Sequence, residues 1–137
     1  MKVSDLSIFF IIIFLFLSTP TLSKEINFKA NEIVSYEEGK IIIGKENAEA
    51  IIDSELEIYA DKVTYNKKNE TLIAEGNVLV FDLVNNIKIN SNKINYNKIS
   101  NHFFSENKTL FNVEDDFKIE SSDVNFEINE SIISSRF

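Results

Sequence analysis

The side chains that most often do chemistry are nearly absent from this sequence. It contains no cysteine and a single histidine, His102, so a thiol nucleophile is excluded and the usual cysteine and histidine zinc sites are not expected. A lone imidazole lacks the partners that catalysis or metal binding requires. We therefore interpret His102, which aligns with Thr71 at a junction between turn and strand, as a solvated structural residue. The sequence predicts a protein that is not an enzyme and that uses no cofactor or metal.

Two other motifs have both a chemical and a structural interpretation. Glu114-Asp115-Asp116 offers three carboxylates to calcium, but the glycine-bearing spacing of a calcium loop is absent, so a polar turn is preferred. Gly76 does not belong to a glycine-rich pattern that precedes a helix. It is predicted to mark a bend or a close backbone approach within a strand.

Net charge narrows the choice of partner. The formal charge is −8, which argues against nucleic-acid phosphate as a ligand. Local basic groups can still meet anionic lipids despite a negative total. The sole proline is Pro20, so nothing after it forbids long continuous strands.

The first 23 residues have the features of an export signal. Lys2 supplies the positive start, Ile8 to Leu17 is an unbroken apolar run, and small residues precede cleavage after Ser23. The apolar run is short for a bilayer span, although an uncleaved anchor is the alternative. Residues 24–137 then form one domain outside the cytoplasm, and it has to fold without disulfides.

Residues 56–81 form the unit that the rest of the domain repeats. Leu56 to Asp61 alternates apolar and polar side chains like a half-buried strand, and the alternation then slips by one residue. An extra residue sends the following side chains to the opposite face, so the slip predicts a β-bulge or corner. Asn66 to Glu70 is typical of a polar turn, and Thr71 to Phe81 of a second strand. The unit is predicted to be a bent β-hairpin.

Imperfect copies of this hairpin recur at intervals of 30 or 31 residues. Their corresponding positions are Phe28, Ile58, Ile89 and Ile119. The slip after Asp61 recurs after Asn92 and Ser122, and the fourth copy breaks off at Phe137. Such a period indicates stacked units that cannot bury an apolar face alone. We predict an all-β domain of eight or nine antiparallel strands.

The apolar residues of the copies should point to one side of the sheet. They either fill an ordinary core or line a groove wide enough for an acyl chain, and core and groove share the same alternation. The residues concerned are Val63, Tyr65, Leu72, Val78, Val80, Ile94, Tyr96, Phe103, Phe111, Val124 and Phe126.

Two segments, ADKVTYNKKNETLIAEGNVLVFD and INSNKINYNKISNHFFSENKTLF, carry a family resemblance. They resemble the repeats of the OstA-like family of lipopolysaccharide transport, which includes the periplasmic bridge LptA, the inner-membrane-anchored LptC and the N-terminal domain of LptD. The shared pattern is A-D-x-V-x-Y, a polar turn and L-x-A-x-G-N-V. It covers the second copy well and the third recognisably. It extends more loosely over the first and fourth copies, and so over residues 25–135.

The resemblance implies a twisted antiparallel β-jelly roll in the periplasm whose apolar groove, lined by the eleven residues above, shields lipid A acyl chains. Members join partner jelly rolls edge to edge, and energy for transport comes from elsewhere. Later copies depart from the pattern, with Ser91 and Ser121 in place of Ala60 and Asn107 in place of Gly76. These changes are expected to narrow, wet or stiffen the interior.

Within the family, the chain is most similar to the periplasmic domain of an LptD-type protein whose barrel, absent here, would attach it to the outer membrane. An LptA-like bridge is the next alternative, and an LptC-like protein would have a longer apolar anchor. Outside the family, the alternative is a structural or adhesive secreted β-repeat protein that binds only protein. The sequence leaves self-association open.

Overall fold

The computed structural model describes residues 26–114 and 117–135. The predicted signal segment, residues 1–23, lies outside the described residues, as do Asp115 and Asp116 of the acidic motif. The described part forms nine strands and two short 3-10 turns. The strands are β1 (Ile26–Lys29), β2 (Glu32–Tyr36), β3 (Ile41–Ile52), β4 (Leu56–Asn66), β5 (Thr71–Asp82), β6 (Ile87–Asn97), β7 (His102–Val113), β8 (Phe117–Glu127) and β9 (Ile132–Ser135), and the turns are Glu37–Gly39 and Ile128–Glu130.

The strands form one antiparallel sheet in the order β1-β3-β4-β5-β6-β7-β8-β9, and β2 also pairs with β3. Each long strand is thus hydrogen-bonded to the strands before and after it in the chain, as in a meander. The predicted all-β antiparallel fold is confirmed, and so is the bent hairpin over residues 56–81, which is β4 and β5.

A β-bulge interrupts every long strand pair near its middle. In β4 and β5 the register shifts between Tyr59 and Lys62, and Ala60 and Val63 are both buried although two residues stand between them. This is the bulge that the slip after Asp61 predicts. The slips after Asn92 and Ser122 also coincide with register shifts, in the pairs β6–β7 and β7–β8.

Gly76 has the conformation and surroundings that a bend requires. Its φ of +77° is in the left-handed region, and an added Cβ would lie 2.3 Å from Oδ2 of Asp61. The neighbouring Asn77 donates from Nδ2 to the same carboxylate at 2.9 Å. The predicted bend and close backbone approach are both confirmed, because a side chain would be strained and would also collide.

The bulges fold the single sheet into two facing layers. Phe103 and Phe111 are eight residues apart in β7, which is about 26 Å in a straight strand. Yet the ring centroids of both lie within 6.3 Å of the Phe126 ring. The first layer contains β1 and residues 48–52, 56–60, 78–82, 87–91, 108–113 and 117–122, and the second contains β2, β9 and residues 41–45, 62–66, 71–75, 93–97, 102–105 and 124–127.

The two edges of the sheet differ in how completely they are covered. At one edge β1 and β2 pair with the two halves of β3, one in each layer. At the other edge β9 pairs with residues 124–127 of β8, and the first-layer half of β8 has β7 as its one partner strand among the described residues. Phe117 and Ile119 on this half remain 66% and 41% exposed. No described segment is a helix with the length and apolarity needed to cross a bilayer.

Candidate functional site

The space between the two layers contains all eleven residues predicted to line a groove. The most accessible of them, Tyr65, is 6% exposed, and all belong to one contiguous cluster. Nine further apolar residues that the sequence-based set omits are buried with them: Ala48, Ala50, Ile52, Leu56, Ile58, Ala60, Ala74, Ile87 and Ile89. The alternation of apolar and polar side chains around Leu56, Ile58 and Ala60 is the sequence signal that could have identified this second group. The lipid-lining role of these side chains remains a prediction.

Side-chain size divides the interior into two halves. From β3 to β5 the buried positions include Ala48, Ala50, Ala60 and Ala74, whereas β6 to β8 contribute four aromatic rings. Tyr96 and Phe103 have centroids 4.7 Å apart, Phe103 stacks on Phe126 at 6.3 Å, and Phe111 meets Phe126 edge-on at 6.0 Å. The half formed by β3 to β5 also buries Leu56, Leu72 and Tyr65, and the aromatic half contains the larger cluster of rings, whose rotation would open space.

A cluster of hydroxyl groups lies at the bend in the aromatic half. Thr109, fully buried, donates from Oγ1 to Ser105 Oγ at 2.7 Å, and Ser91 Oγ lies 3.1 Å from Thr109 Oγ1. One repeat earlier these positions are Val78, Ala74 and Ala60. The substitutions do make the interior polar at this point, and the hydroxyl groups satisfy one another, so the polarity is accommodated without water.

The two layers meet again at the side opposite the bend, which we call the mouth. There the turn 83–86 of the first layer touches the turn 128–131 of the second. Ser131 donates from Oγ to Asn85 Oδ1 at 3.0 Å, and Asn85 Nδ2 points to the Ile128 carbonyl at 3.5 Å. We call this Asn85–Ser131 contact the latch. It joins residues 46 positions apart in the chain and links the two layers at this point of the mouth.

Asp82 holds the first-layer side of the latch in position. Its carboxylate, 3% exposed, accepts from the backbone N–H groups of Val84 and Asn85 at 3.1 and 3.0 Å, and from Asn85 Nδ2 at 2.7 Å. The buried charge is compensated by three donors. The carboxamide of Asn85 is therefore oriented before it meets Ser131.

A cavity of about 220 Å³, partly open to solvent, lies beside the latch. Ile52, Leu56 and Tyr96 in its wall are also members of the core cluster, so the cavity borders the interior directly. Its full lining is Ile52, Asp53, Glu55, Leu56, Asp82, Val84, Asn85, Tyr96, Asn101, Ile128 and Asn129. The wall is apolar toward the core, and its rim consists of carboxylates and carboxamides.

Tyrosine and amide side chains fix the second-layer turns beside the mouth. Tyr96 donates to Asn101 Oδ1 at 2.7 Å, and Asn101 donates from Nδ2 to Asn129 at 2.7 Å. Burial, with a smaller contribution from the negative charge of Asp53, raises the pKa of Tyr96 above its ordinary value. The phenol therefore stays neutral and serves as a hydrogen-bond donor throughout the physiological range.

A similar arrangement is found one hairpin earlier. Tyr65 donates to Glu70, and Lys98 forms an ion pair with Glu70 at 3.0 Å. Burial, and next the hydrogen bond to Glu70, raises the pKa of Tyr65, while the hydrogen bond from Tyr65, followed by the contact with Lys98, lowers the pKa of Glu70. These contacts hold the turn 67–70 against the turn 98–101.

The other residues singled out in the sequence have structural positions. His102 is the first residue of β7, at the predicted junction, and is half-buried. Glu114 lies in a turn, in agreement with the polar-turn interpretation, although the rest of that motif is outside the described residues. Among residues 26–114 and 117–135 no group of three or more histidine, aspartate or glutamate side chains is arranged to hold a metal ion.

Comparison with known proteins gives a match in structure and none in sequence. No protein-family model matches the chain, and no curated protein is significantly similar to it. Among solved structures, the chain is similar to LptH of Pseudomonas aeruginosa, described as the LptA-homologous periplasmic component of the conserved lipopolysaccharide transport device. The TM-score is 0.72 over 82% of each chain, at 12% identity. The shared property is the fold.

The β-jelly roll implied by the resemblance of the repeats is thereby confirmed for this chain. Its bent hairpins and twisted antiparallel sheet match those of an LptA-like structure over most of both chains.

Proposed function

We propose that this chain is a non-enzymatic periplasmic carrier of the OstA-like family that shields the acyl chains of lipopolysaccharide during transport to the outer membrane. The observation that carries the proposal is the apolar interior between two layers of an LptA-like jelly roll. Each methylene moved out of water contributes about 0.8 kcal/mol. A carrier that buries several chains therefore removes most of the free-energy barrier to crossing an aqueous compartment.

The interior is closed in this structure, so carrying a lipid requires the layers to separate. Contacts between Phe111 in the first layer and Phe126 in the second would be exchanged for contacts with the acyl chain. Both states then bury a similar apolar area, which keeps the free-energy difference between them small. The sugars remain in water outside the mouth.

Photocrosslinking in cells tests the carrier directly. A photoreactive amino acid at Leu72 or Tyr96 should give an adduct with lipopolysaccharide, and the same group at Lys68, on an exposed turn, should not. Val78→Glu and Phe103→Asp place a charge in the interior and should abolish the adduct in protein that remains folded by circular dichroism. Folded, labelled protein that never gives an adduct from the interior positions would refute the proposal.

Edge pairing is the second part of the proposed function. The first-layer half of β8, residues 117–122, presents backbone groups with which no other described strand pairs, together with the exposed Phe117 and Ile119. Such an edge suits β-augmentation by a strand of another transport protein or of a second copy. Glu120→Pro should weaken the association without unfolding the domain, because the alternation of the β7–β8 ladder directs the N–H of this residue away from β7 and toward the edge. A pull-down that is unchanged by this substitution would exclude the edge.

A finer assignment follows the resemblance of the repeats to LptD-type proteins. The proposed protein is then attached to the outer membrane through a barrel encoded after Phe137. Alternating segments of about ten residues with aromatic girdles in the downstream reading frame would support this assignment. A stop codon directly after Phe137 would instead favour an LptA-like bridge.

The closed packing also favours one different function. A structural or adhesive β-repeat protein needs a filled core and no groove, and the described core is filled. This alternative predicts that lipopolysaccharide leaves the melting temperature unchanged, whereas a carrier is stabilised by a ligand that binds the native state.

A further inference from the structure

At the mouth the two layers are joined by contacts between turns and not by continuous strands. Along the bend the layers are connected by the continuous backbone of six strands, β3 to β8. Across the mouth the contacts include the latch, in which Ser131 is exposed and Asn85 is half-buried, and the approach of Asp53 to Tyr96. Hydrogen bonds near water exchange readily for bonds to solvent. The layers can therefore part at the mouth while every strand ladder stays intact.

The cavity beside the latch has an apolar part and a polar part, which match the two parts of an amphiphile. Ile52 and Leu56 continue the core to the cavity wall, and Val84, 66% exposed, extends apolar surface to the outside. The rim residues Asp82 and Asn101 offer acceptors and donors to hydroxyl groups.

We propose that the mouth is the entrance through which an acyl chain reaches the interior, and that the Asn85–Ser131 latch keeps this entrance shut until a chain is presented. The inference rests on the proposed function and adds to it the position of entry and the group that controls it. The chain passes between the turns 83–86 and 128–131, and a hydroxyl-bearing head group stays at the rim. Entry along the sheet edges would leave the latch closed, whereas entry at the mouth requires the latch to open.

A reversible lock on the mouth tests the proposal. The chain has no cysteine, so Asn85→Cys/Ser131→Cys provides two unique thiols that a short bis-methanethiosulfonate linker can join. Locked protein should give at least about tenfold less adduct between a photoreactive group at Leu72 and purified lipopolysaccharide, because the competent fraction limits binding. Reduction of the linker should restore the yield.

A matched control separates the lock from the chemistry of linking. Lys62→Cys/Glu75→Cys replaces a cross-strand ion pair on the outer side of β4 and β5. The same linker there spans two strands of one layer and should leave the adduct yield unchanged. Equal adduct yields from locked and reduced protein at the mouth would overturn the entrance and leave the carrier function standing. An unlinked protein without any adduct would overturn the carrier function itself, and the entrance with it.

Removal of the latch gives a second, opposite readout. Ser131→Ala should accelerate adduct formation about fivefold, the factor that corresponds to one hydrogen bond of ordinary net strength. Ser134→Ala removes another exposed serine from the same segment and should not change the rate. An unchanged rate in Ser131→Ala, with the fold preserved, would show that the latch does not control entry.

Discussion

Substitution of Gly76 by alanine tests whether the bulge line sets the geometry of the whole domain. Two destabilising contributions to the free energy of unfolding add at this position. The left-handed φ of +77° costs an alanine about 1 to 2 kcal/mol. The new Cβ would lie 2.3 Å from Asp61 Oδ2, so the carboxylate must move and give up its bond from Asn77, a net loss of about 1 kcal/mol. We expect Gly76→Ala to lower the free energy of unfolding by about 2 to 3 kcal/mol.

Urea denaturation followed by circular dichroism measures this loss as a shift of the midpoint at constant slope. Asp61→Ala/Gly76→Ala removes the carboxylate from the collision and leaves the backbone cost and a Cβ–Cβ approach of 3.0 Å, so the double variant should be no less stable than Gly76→Ala. Asn107, the corresponding residue one repeat later, already has a φ of +67° and a side chain. Asn107→Ala should therefore lose well under half as much. A loss below about 0.5 kcal/mol in Gly76→Ala, within the range of ordinary surface changes, would refute the role assigned to the glycine.

Two further substitutions test the core and the turn contacts. Phe126→Ala should lower the free energy of unfolding by about 3 to 5 kcal/mol, because removal of a fully buried ring that touches Phe103 and Phe111 leaves a cavity. As a control, Phe117→Ala, at an exposed position, should lower it by less than about 0.5 kcal/mol in the same urea assay. The native pKa of Glu70 is lowered, so its stabilising contribution is present above its unfolded pKa and is lost as the pH falls through the native pKa. Glu70→Gln should accordingly flatten the acid limb of a plot of stability against pH, and an unchanged acid limb would contradict the Tyr65–Glu70–Lys98 interaction.

Local rules are sufficient to predict the bulges and the hairpins. The slip after Asp61 is a one-residue change in a two-residue period, and only an extra residue in the strand can restore the buried face at Val63. Gly76 could be interpreted in the same way, since an isolated glycine within a strand pattern indicates a bend. Both features depend on residues nearby in the chain or on the adjacent strand. The repeats make these local relations apparent in the sequence.

The mouth could not be predicted because it depends on the twist of the whole sheet. Asn85 and Ser131 belong to turns separated by three long strands, and neither is unusual in its local sequence. Whether the interior is open or closed is equally hidden, since Phe103 and Phe126 alternate in the same way in a core and in a groove. By contrast, the break between β1 and β2 falls at Ala30 and Asn31, which align with Ala60 and Asp61, so the same slip marks it in the sequence.

The β-bulge recurs near the middle of every long strand, so successive hairpins give the domain the same cross-section. One hairpin determines this cross-section, and the number of hairpins determines only the length of the interior between the two layers. The bending is done locally in each strand by residues such as Gly76 and Asn107, so it does not accumulate strain from one repeat to the next. An interior built in this way can be lengthened or shortened by whole hairpins, and the proposed capacity for acyl chains should change in steps of one repeat.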